Sequence, residues 1–338
     1  MLKNLLRPVI SASVLIALSA GSVRAQTTET APAKLPDLDY LLHGSDTDAD
    51  TSVSEPAPPA SSSGDAAPAL RSPSEIEESV GGRLGVALVT AEGKVVLGFN
   101  RDERFAMCST FKAPLAAAIL SRVGEGRIDP QARVSFRPDD ILDYAPVVKD
   151  NAEKGMLPVE TLAKAAVEVS DNSAANLLLP LVGGPEGLTA FMRAHGDAVT
   201  RLDRTEPTLN ENAQDDPRDT TSPAAMAGLM ARLIFADLKA DQAATLRSWL
   251  EASPTGARRI RAGLPEGWSA GDKTGTCGNA VNDVAVLKAP DGREYVLAVY
   301  IDRPTVETKD AEAAIAEVTR AAIGMLGNLR PKAGPSAR

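Results

Sequence analysis

The chain has 338 residues, 43% hydrophobic, 24% charged and 4% aromatic, which excludes a disulfide-rich miniprotein, a collagen-like repeat and a wholly disordered chain. Its 36 basic and 45 acidic residues give a net charge of −9, and that balance disfavours non-specific nucleic-acid binding, because phosphate contacts need a basic surface. Two histidines, His43 and His195, and two cysteines, Cys108 and Cys277, are little material for a metal centre, so no metal or cofactor is expected.

Met1 to Ala25 reads as a secretory signal. Lys3 and Arg7 form its charged start, Val9 to Ala20 is an apolar run too short to span a bilayer, and Val23-Arg24-Ala25 places small residues where a signal peptidase reads. No cysteine follows the run, so lipid attachment is not expected there, and the mature protein is expected to be periplasmic or secreted with no membrane span. Residues 26–74 hold seven of the 24 prolines and eight acidic against two basic groups. Such a stretch buries too little apolar surface to offset its ordering entropy and is read as a disordered linker. Residues 75–338 form the expected globular domain, again acidic, with 31 basic and 37 acidic groups.

Leu84–Thr90 and Lys94–Phe99 are β-rich runs around Ala91-Glu92-Gly93, a predicted hairpin. Helical patterns follow at Thr110–Val123, ending at Gly124, and at Val159–Val169, Ser173–Leu181 and Pro223–Leu238. Asp283–Lys288 and Glu294–Ile301 flank Ala289-Pro290-Asp291-Gly292 as a second hairpin, and Asp310–Leu326 closes the chain with an apolar stripe at helical spacing. Strands at both ends with helices between them predict an α/β fold. One antiparallel sheet, flanked by helices and built from both chain ends, should stand beside a mainly helical lobe. A cleft between two such lobes is a common place for an active site.

Serine, lysine and carboxylate are the residues left to carry chemistry. Ser109-Thr110-Phe111-Lys112 sits at the start of a predicted helix, where the i, i+3 spacing brings the amine to the hydroxyl. A lysine whose pKa is lowered by burial activates such a serine. Pro114 requires the helix to begin just before Ser109 or to bend there. Ser170-Asp171-Asn172 falls between two helical stretches and equally suits a capping turn. Lys273-Thr274-Gly275-Thr276 leads towards a β-rich run and, alone, reads equally as an exposed turn. An acidic loop from Arg204 to Asp219 lies between the last two motifs.

Taken in order, Ser-x-x-Lys, Ser-Asp-Asn, the loop with Glu206-Pro207-Thr208-Leu209-Asn210, and Lys-Thr-Gly resemble the class A serine β-lactamases, for which this motif set is known. The resemblance covers residues 75 to about 328. It implies that Ser109 is the nucleophile and that Lys112, Glu206 or both take its proton. Ser170, helped by Lys273, would protonate the lactam nitrogen, and Glu206 with Asn210 would activate the deacylating water. Asn172 would bind the substrate's side-chain amide, while Lys273, Thr274, Gly275 and Thr276 would receive its carboxylate and oxyanion. Arg204 and Asp219 would pair across the neck of an omega loop. Many members carry an arginine on the strand after Lys-Thr-Gly, but Gly278–Asn282 has none, and Arg259 resembles the alternative arginine some members use. An arginine in a basic run also suits a solvated charge. Tyr144 resembles a cleft-rim aromatic, and Trp268 reads as core. Cys108 and Cys277 flank two motifs that meet in this family, so a disulfide is expected, as in its carbapenem-hydrolysing group. The implied partner is a small β-lactam, turned over by a monomer. Penicillin-binding peptidases and β-lactam sensors share the scaffold but do not need Glu206 and Asn210 in such a loop.

Overall fold

In a computed structural model, residues 70–328 are described. The expected leader, and the linker up to residue 69, lie outside them. The first helix begins at Pro73, just before Glu75. Ser72 caps helix α1 (Pro73–Val80), and its backbone and hydroxyl meet the Glu75 carboxylate in a capping box.

The central sheet takes β1 (Arg83–Thr90) and β2 (Val95–Phe99) from the start of the domain and β7 (Ser269–Cys277), β8 (Ala280–Lys288) and β9 (Glu294–Asp302) from its end. Its order is β2-β1-β9-β8-β7, and every neighbouring pair is antiparallel. Thus the predicted sheet, built from both chain ends, is present. Both predicted hairpins pair as expected, whereas β7 reads as a turn in sequence and is a strand. Its Gly, Asp and Lys residues have low strand propensity, and pairing with β8 overrides it. Minor two-stranded pairs join β3 (Phe105–Ala106) to β6 (Thr220–Thr221) and β4 (Arg133–Ser135) to β5 (Met156–Pro158).

Nearly every residue of β1, β8 and β9 is buried, because both faces of the sheet are covered. One face packs Leu84, Leu88, Leu287, Leu297 and Val299 against α1 and the closing helix α10 (Thr308–Asn328). The other packs Ala87, Val284 and Ala298 into the core of the helical lobe. That lobe is built on α2 (Lys112–Gly124), α3 (Pro146–Asp150), α4 (Val159–Glu168), α5 (Asn172–Val182), α6 (Gly184–Ala194), α7 (Pro223–Arg232) and α8 (Ala240–Ala252), with the short α9 (Ile260–Gly263) leading back to the sheet. Residues 112–120 of α2 are all buried, and Ala113, Ala116, Ala117 and Ala118 let neighbouring helices approach closely. Each large aliphatic side chain buried in this way contributes about 1.5–3 kcal/mol. The helical run predicted from Pro223 to Leu238 changes at Leu233 into a π-helical turn that reaches Asp237. Helices α6 and α8 have no counterpart among the predicted elements.

Candidate active site

Pro114 is accommodated in a third way. Cys108–Phe111 form a 3-10 turn, and the α-helix starts only at Lys112, which puts Pro114 in the first turn, where no N–H is needed. Ser109 is half-buried in this turn, while residues 105–108 and 110–120 are buried. The chain therefore presents one hydroxyl from an otherwise closed wall. Cys108 takes a left-handed φ of 47°, and its sulfur is bonded to Cys277 across a Cα separation of 5.6 Å. The expected disulfide is present.

Lys112 reaches across the site. Its Nζ lies 2.8 Å from Ser109 Oγ, 2.9 Å from Glu206 Oε1, 2.9 Å from the Ser170 carbonyl and 2.5 Å from Asn172 Oδ1. Burial drives its pKa down, against the opposing pull of Glu206 and Asp171. Ser109 Oγ is 3.4 Å from Glu206 Oε1, and Asn210 Nδ2 donates to Glu206 Oε2 at 2.6 Å. Hydroxyl, amine, carboxylate and amide thus form one continuous set of contacts.

The Ser-Asp-Asn turn serves as both cap and site. Asp171 accepts from the Ala174 N–H at the start of α5 and from Val147 and Val148 N–H at the start of α3. So anchored, Ser170 adopts a φ of 59° and turns its hydroxyl towards Lys273 Nζ at 3.0 Å and Lys112 Nζ at 3.4 Å. Lys273 is fully buried in β7, and its pKa falls to about 7, chiefly by desolvation and then by repulsion from Lys112. It also donates to the Thr274 carbonyl at 2.8 Å. The exposed-turn alternative for this motif is therefore overturned.

Gly275 is needed because β7 presses on the nucleophile turn. A Cβ there would lie 2.7 Å from the Met107 carbonyl and 3.0 Å from Thr110 Cγ2. Cys277 and Ala280 flank a two-residue turn, so alternation along the antiparallel ladder leaves the Thr276 N–H facing away from β8. Thr276 is exposed, beside the half-buried Ser109.

The loop carrying Glu206 closes at its neck. Asp219 accepts from Arg204 Nε at 2.6 Å and from the Asp203 and Arg204 N–H groups at 2.7 and 2.9 Å.

A protein-family model described as the β-lactamase enzyme family matches residues 72–326. β-Lactamase L2 of Stenotrophomonas maltophilia is 43% identical over 256 residues, 75% of this chain and 84% of that protein. β-Lactamase CTX-M-97 of Escherichia coli is 42% identical over 249 residues, 72% and 85%. Among solved structures, an ancestral class A β-lactamase superposes with a TM-score of 0.72 at 47% identity, covering 75% of this chain and 97% of that one. A β-lactamase from Xanthomonas campestris gives 0.73 at 41% identity, covering 75% and 96%. This chain belongs to the class A β-lactamase family.

The remaining expected residues of this β-lactamase lie as follows. Arg259 is 4% exposed rather than solvated. It donates to the Gly275 and Asn282 carbonyls at 3.1 and 2.7 Å, to Thr276 Oγ1 at 2.7 Å and to the buried Glu312 carboxylate. It therefore sits behind β7, with one donor on the hydroxyl of the exposed Thr276. Thr274 Oγ1 pairs with Thr255 Oγ1 at 2.8 Å. Tyr144 is 53% exposed, and its carbonyl accepts from the Asn172 N–H. Trp268 is half-buried against Tyr295, on the core that faces α10.

Two asparagines escaped the motif reading. Asn176 holds the Glu206 backbone from both sides, donating to its carbonyl at 2.8 Å and accepting from its N–H at 3.0 Å. It lies one helical turn after Asn172, and that i+4 spacing was the available signal. Asn282 on β8 donates to the Ala106 carbonyl at 2.9 Å, tying the sheet to the residues before the nucleophile. Nothing local marks it, because its partner lies 176 positions away.

Proposed function

We propose that this enzyme opens β-lactam rings by acyl transfer to Ser109 and releases the product with a water activated by Glu206. The observation that carries the reading is the Glu206–Asn210 pair held 3.4 Å from the serine hydroxyl, because hydrolysis of an ester at Ser109 needs a base beside it. The 2.8 and 2.9 Å contacts favour a relay for acylation. Glu206 takes a proton from Lys112, and the neutral amine then takes the proton of Ser109 as its oxygen attacks the lactam carbon. The oxyanion is received by the backbone N–H groups of Ser109 and Thr276, each worth about 3–4 kcal/mol in such sites. As the C–N bond breaks, Ser170 Oγ gives its proton to the nitrogen and is reprotonated by Lys112, which then recovers the proton that Glu206 had taken and so restores the carboxylate. In deacylation Glu206 takes a proton from water, hydroxide attacks the ester carbonyl, and Ser109 leaves as the alcohol. Lys273, Thr274 and Thr276, backed by Arg259, supply charge and hydroxyls for the substrate carboxylate, and Asn172 supplies an amide for the acyl side chain.

Penicillins and cephalosporins are the proposed substrates, and the Cys108–Cys277 bridge adds carbapenems to those worth testing. The charged start and apolar run of residues 1–25 support export to the periplasm or beyond, with 26–74 as linker and 75–338 as catalytic domain acting as a monomer. Among the described residues no helix is long and apolar enough to cross a membrane.

The test is a time course on residues 26–338 with a chromogenic cephalosporin, following absorbance and intact mass together. Sustained turnover that collapses to a trapped acyl-enzyme in Glu206→Ala is expected. A single burst with permanent mass at Ser109 in the unmutated protein would mark a binding protein or sensor instead.

A further inference from the structure

A cavity of about 650 Å³ lies between the turn joining β1 to β2, the segment that leaves α6 and one face of α7, and none of the catalytic residues named above borders it. Its floor is small and apolar. Helix α7 lends Ala224, Ala225, Gly228 and Leu229, whose spacing of i, i+1, i+4 and i+5 places them on one face. A Cβ built on Gly228 would meet nothing within 4 Å, so glycine at this mid-helix position, despite its low helix propensity, leaves open space. The far end is braced. Beyond Arg232 the helix passes into the π turn Leu233–Asp237, whose i→i+5 bonding brings residues five apart onto one side. Asp237 Oδ2 thereby takes Arg232 Nε at 2.8 Å and His195 Nδ1 at 2.5 Å, and the His195 ring lies 4.3 Å from that of Phe191. These two donors are committed to a single carboxylate.

Asp197, on the same wall, is different. It is 5% exposed, and its Oδ1 accepts from the Val199 and Thr200 N–H groups, each at 2.8 Å. Arg193 Nη1 stands 4.0 Å from that same oxygen while donating to the Asp197 and Thr200 carbonyls at 2.5 and 2.6 Å. Oδ2 has no hydrogen-bond partner among the described residues. With Oδ1 turned to the backbone of residues 199–200, Oδ2 is the oxygen left for the cavity that Asp197 borders. A buried carboxylate oxygen without a donor is unfavourable, so this wall calls for one. The border adds to the pull. Glu92 and Asp102 stand exposed at the edge of the cavity, and the carboxylates around it outnumber the basic groups.

We propose that this cavity is a binding site for a small organic ammonium ion with a short aliphatic body. Its N–H groups satisfy Asp197 Oδ2, its carbons lie on Ala224, Ala225 and Leu229, and Glu92 and Asp102 draw the cation in. The site and the hydrolytic reading above do not depend on one another.

The experiment titrates butylammonium chloride into the unmutated protein at fixed ionic strength and follows the backbone amide NMR signals, with 1-butanol as the uncharged match. Saturating shifts centred on Gly93, Gly196 and Gly228, which border the cavity, are expected with a Kd of about 1–10 mM, the range open to so small a ligand. 1-Butanol should bind at least about tenfold more weakly, because it brings no charge to the carboxylate. Asp197→Asn keeps the shape and an oxygen for the N–H groups of residues 199 and 200 but loses the charge, so it weakens butylammonium binding about tenfold. Gly228→Leu grows into the open space on α7, leaves the carboxylate in place and abolishes binding. Absence of shifts at those three glycines, equal binding of 1-butanol, or a Gly228→Leu protein that binds like the unmutated one overturns the proposal. Should Asp197→Asn fail to fold, Gly228→Leu and the 1-butanol comparison still decide it.

Discussion

Arg259 offers the sharpest test of how the sheet supports the cleft. Truncation in Arg259→Ala leaves Glu312 buried and takes the donors from the Asn282 carbonyl and Thr276 Oγ1. Removing one partner of a buried pair costs about 3–5 kcal/mol. Arg258 Nε still reaches the other Glu312 oxygen at 2.7 Å, so the low end applies, about 3 kcal/mol. In a domain of this size that lowers Tm by roughly 6–12 °C. Thr276 also loses a charge-assisted hydrogen bond worth about 1.5 kcal/mol, which raises KM about tenfold for a substrate carboxylate with little change in kcat. Urea denaturation and steady-state kinetics on Arg259→Ala, Glu312→Gln and the double variant measure both effects. The double variant should be less destabilised than the two singles predict together, by about 1–3 kcal/mol, because neither charge is then stranded. A loss below about 0.5 kcal/mol with an unchanged KM would refute the reasoning and restore the solvated-arginine reading.

The pH dependence follows from Lys273, held at about 7 by burial rather than at its ordinary 10.5. With the proposed role of its charged form in receiving the substrate carboxylate, kcat/KM should fall as pH rises through about 7, with kcat less affected; a profile flat to alkaline pH would show that the amine stays charged. The sign for stability is opposite, because the folded pKa is depressed: the penalty of burying the ammonium is present in full below about 7 and is relieved between 7 and 10.5. The disulfide closes a loop with a sequence separation of 169, for which chain entropy gives an upper figure of about 5 kcal/mol lost in Cys108→Ser/Cys277→Ser, measurable by urea denaturation. Full carbapenem turnover in Cys108→Ser would show that the bridge is not what permits that activity.

Much of this β-lactamase is written locally in the chain. Alternation and turn chemistry place the two hairpins, helical spacing places α2, α4, α5 and α10, and the i, i+3 interval joins Ser109 to Lys112, because these signals act within a few residues. What stayed hidden depends on distant neighbours. β7 is a strand only because β8 pairs with it, since Gly271, Asp272 and Gly275 argue against one on their own. Arg259, in a run of three arginines among four residues, looks like its neighbours until α10 brings Glu312 to it and β7 and β8 bring their carbonyls. Asn176 and Asn282 carry no motif, for a side-chain amide acquires meaning only from the backbone that folding sets opposite it. The linear chain supplies the candidate reactive groups and their order. Tertiary structure alone decided their charge states and spacings, because desolvation and hydrogen-bond geometry arise only when segments about a hundred residues apart close around Lys112 and Lys273.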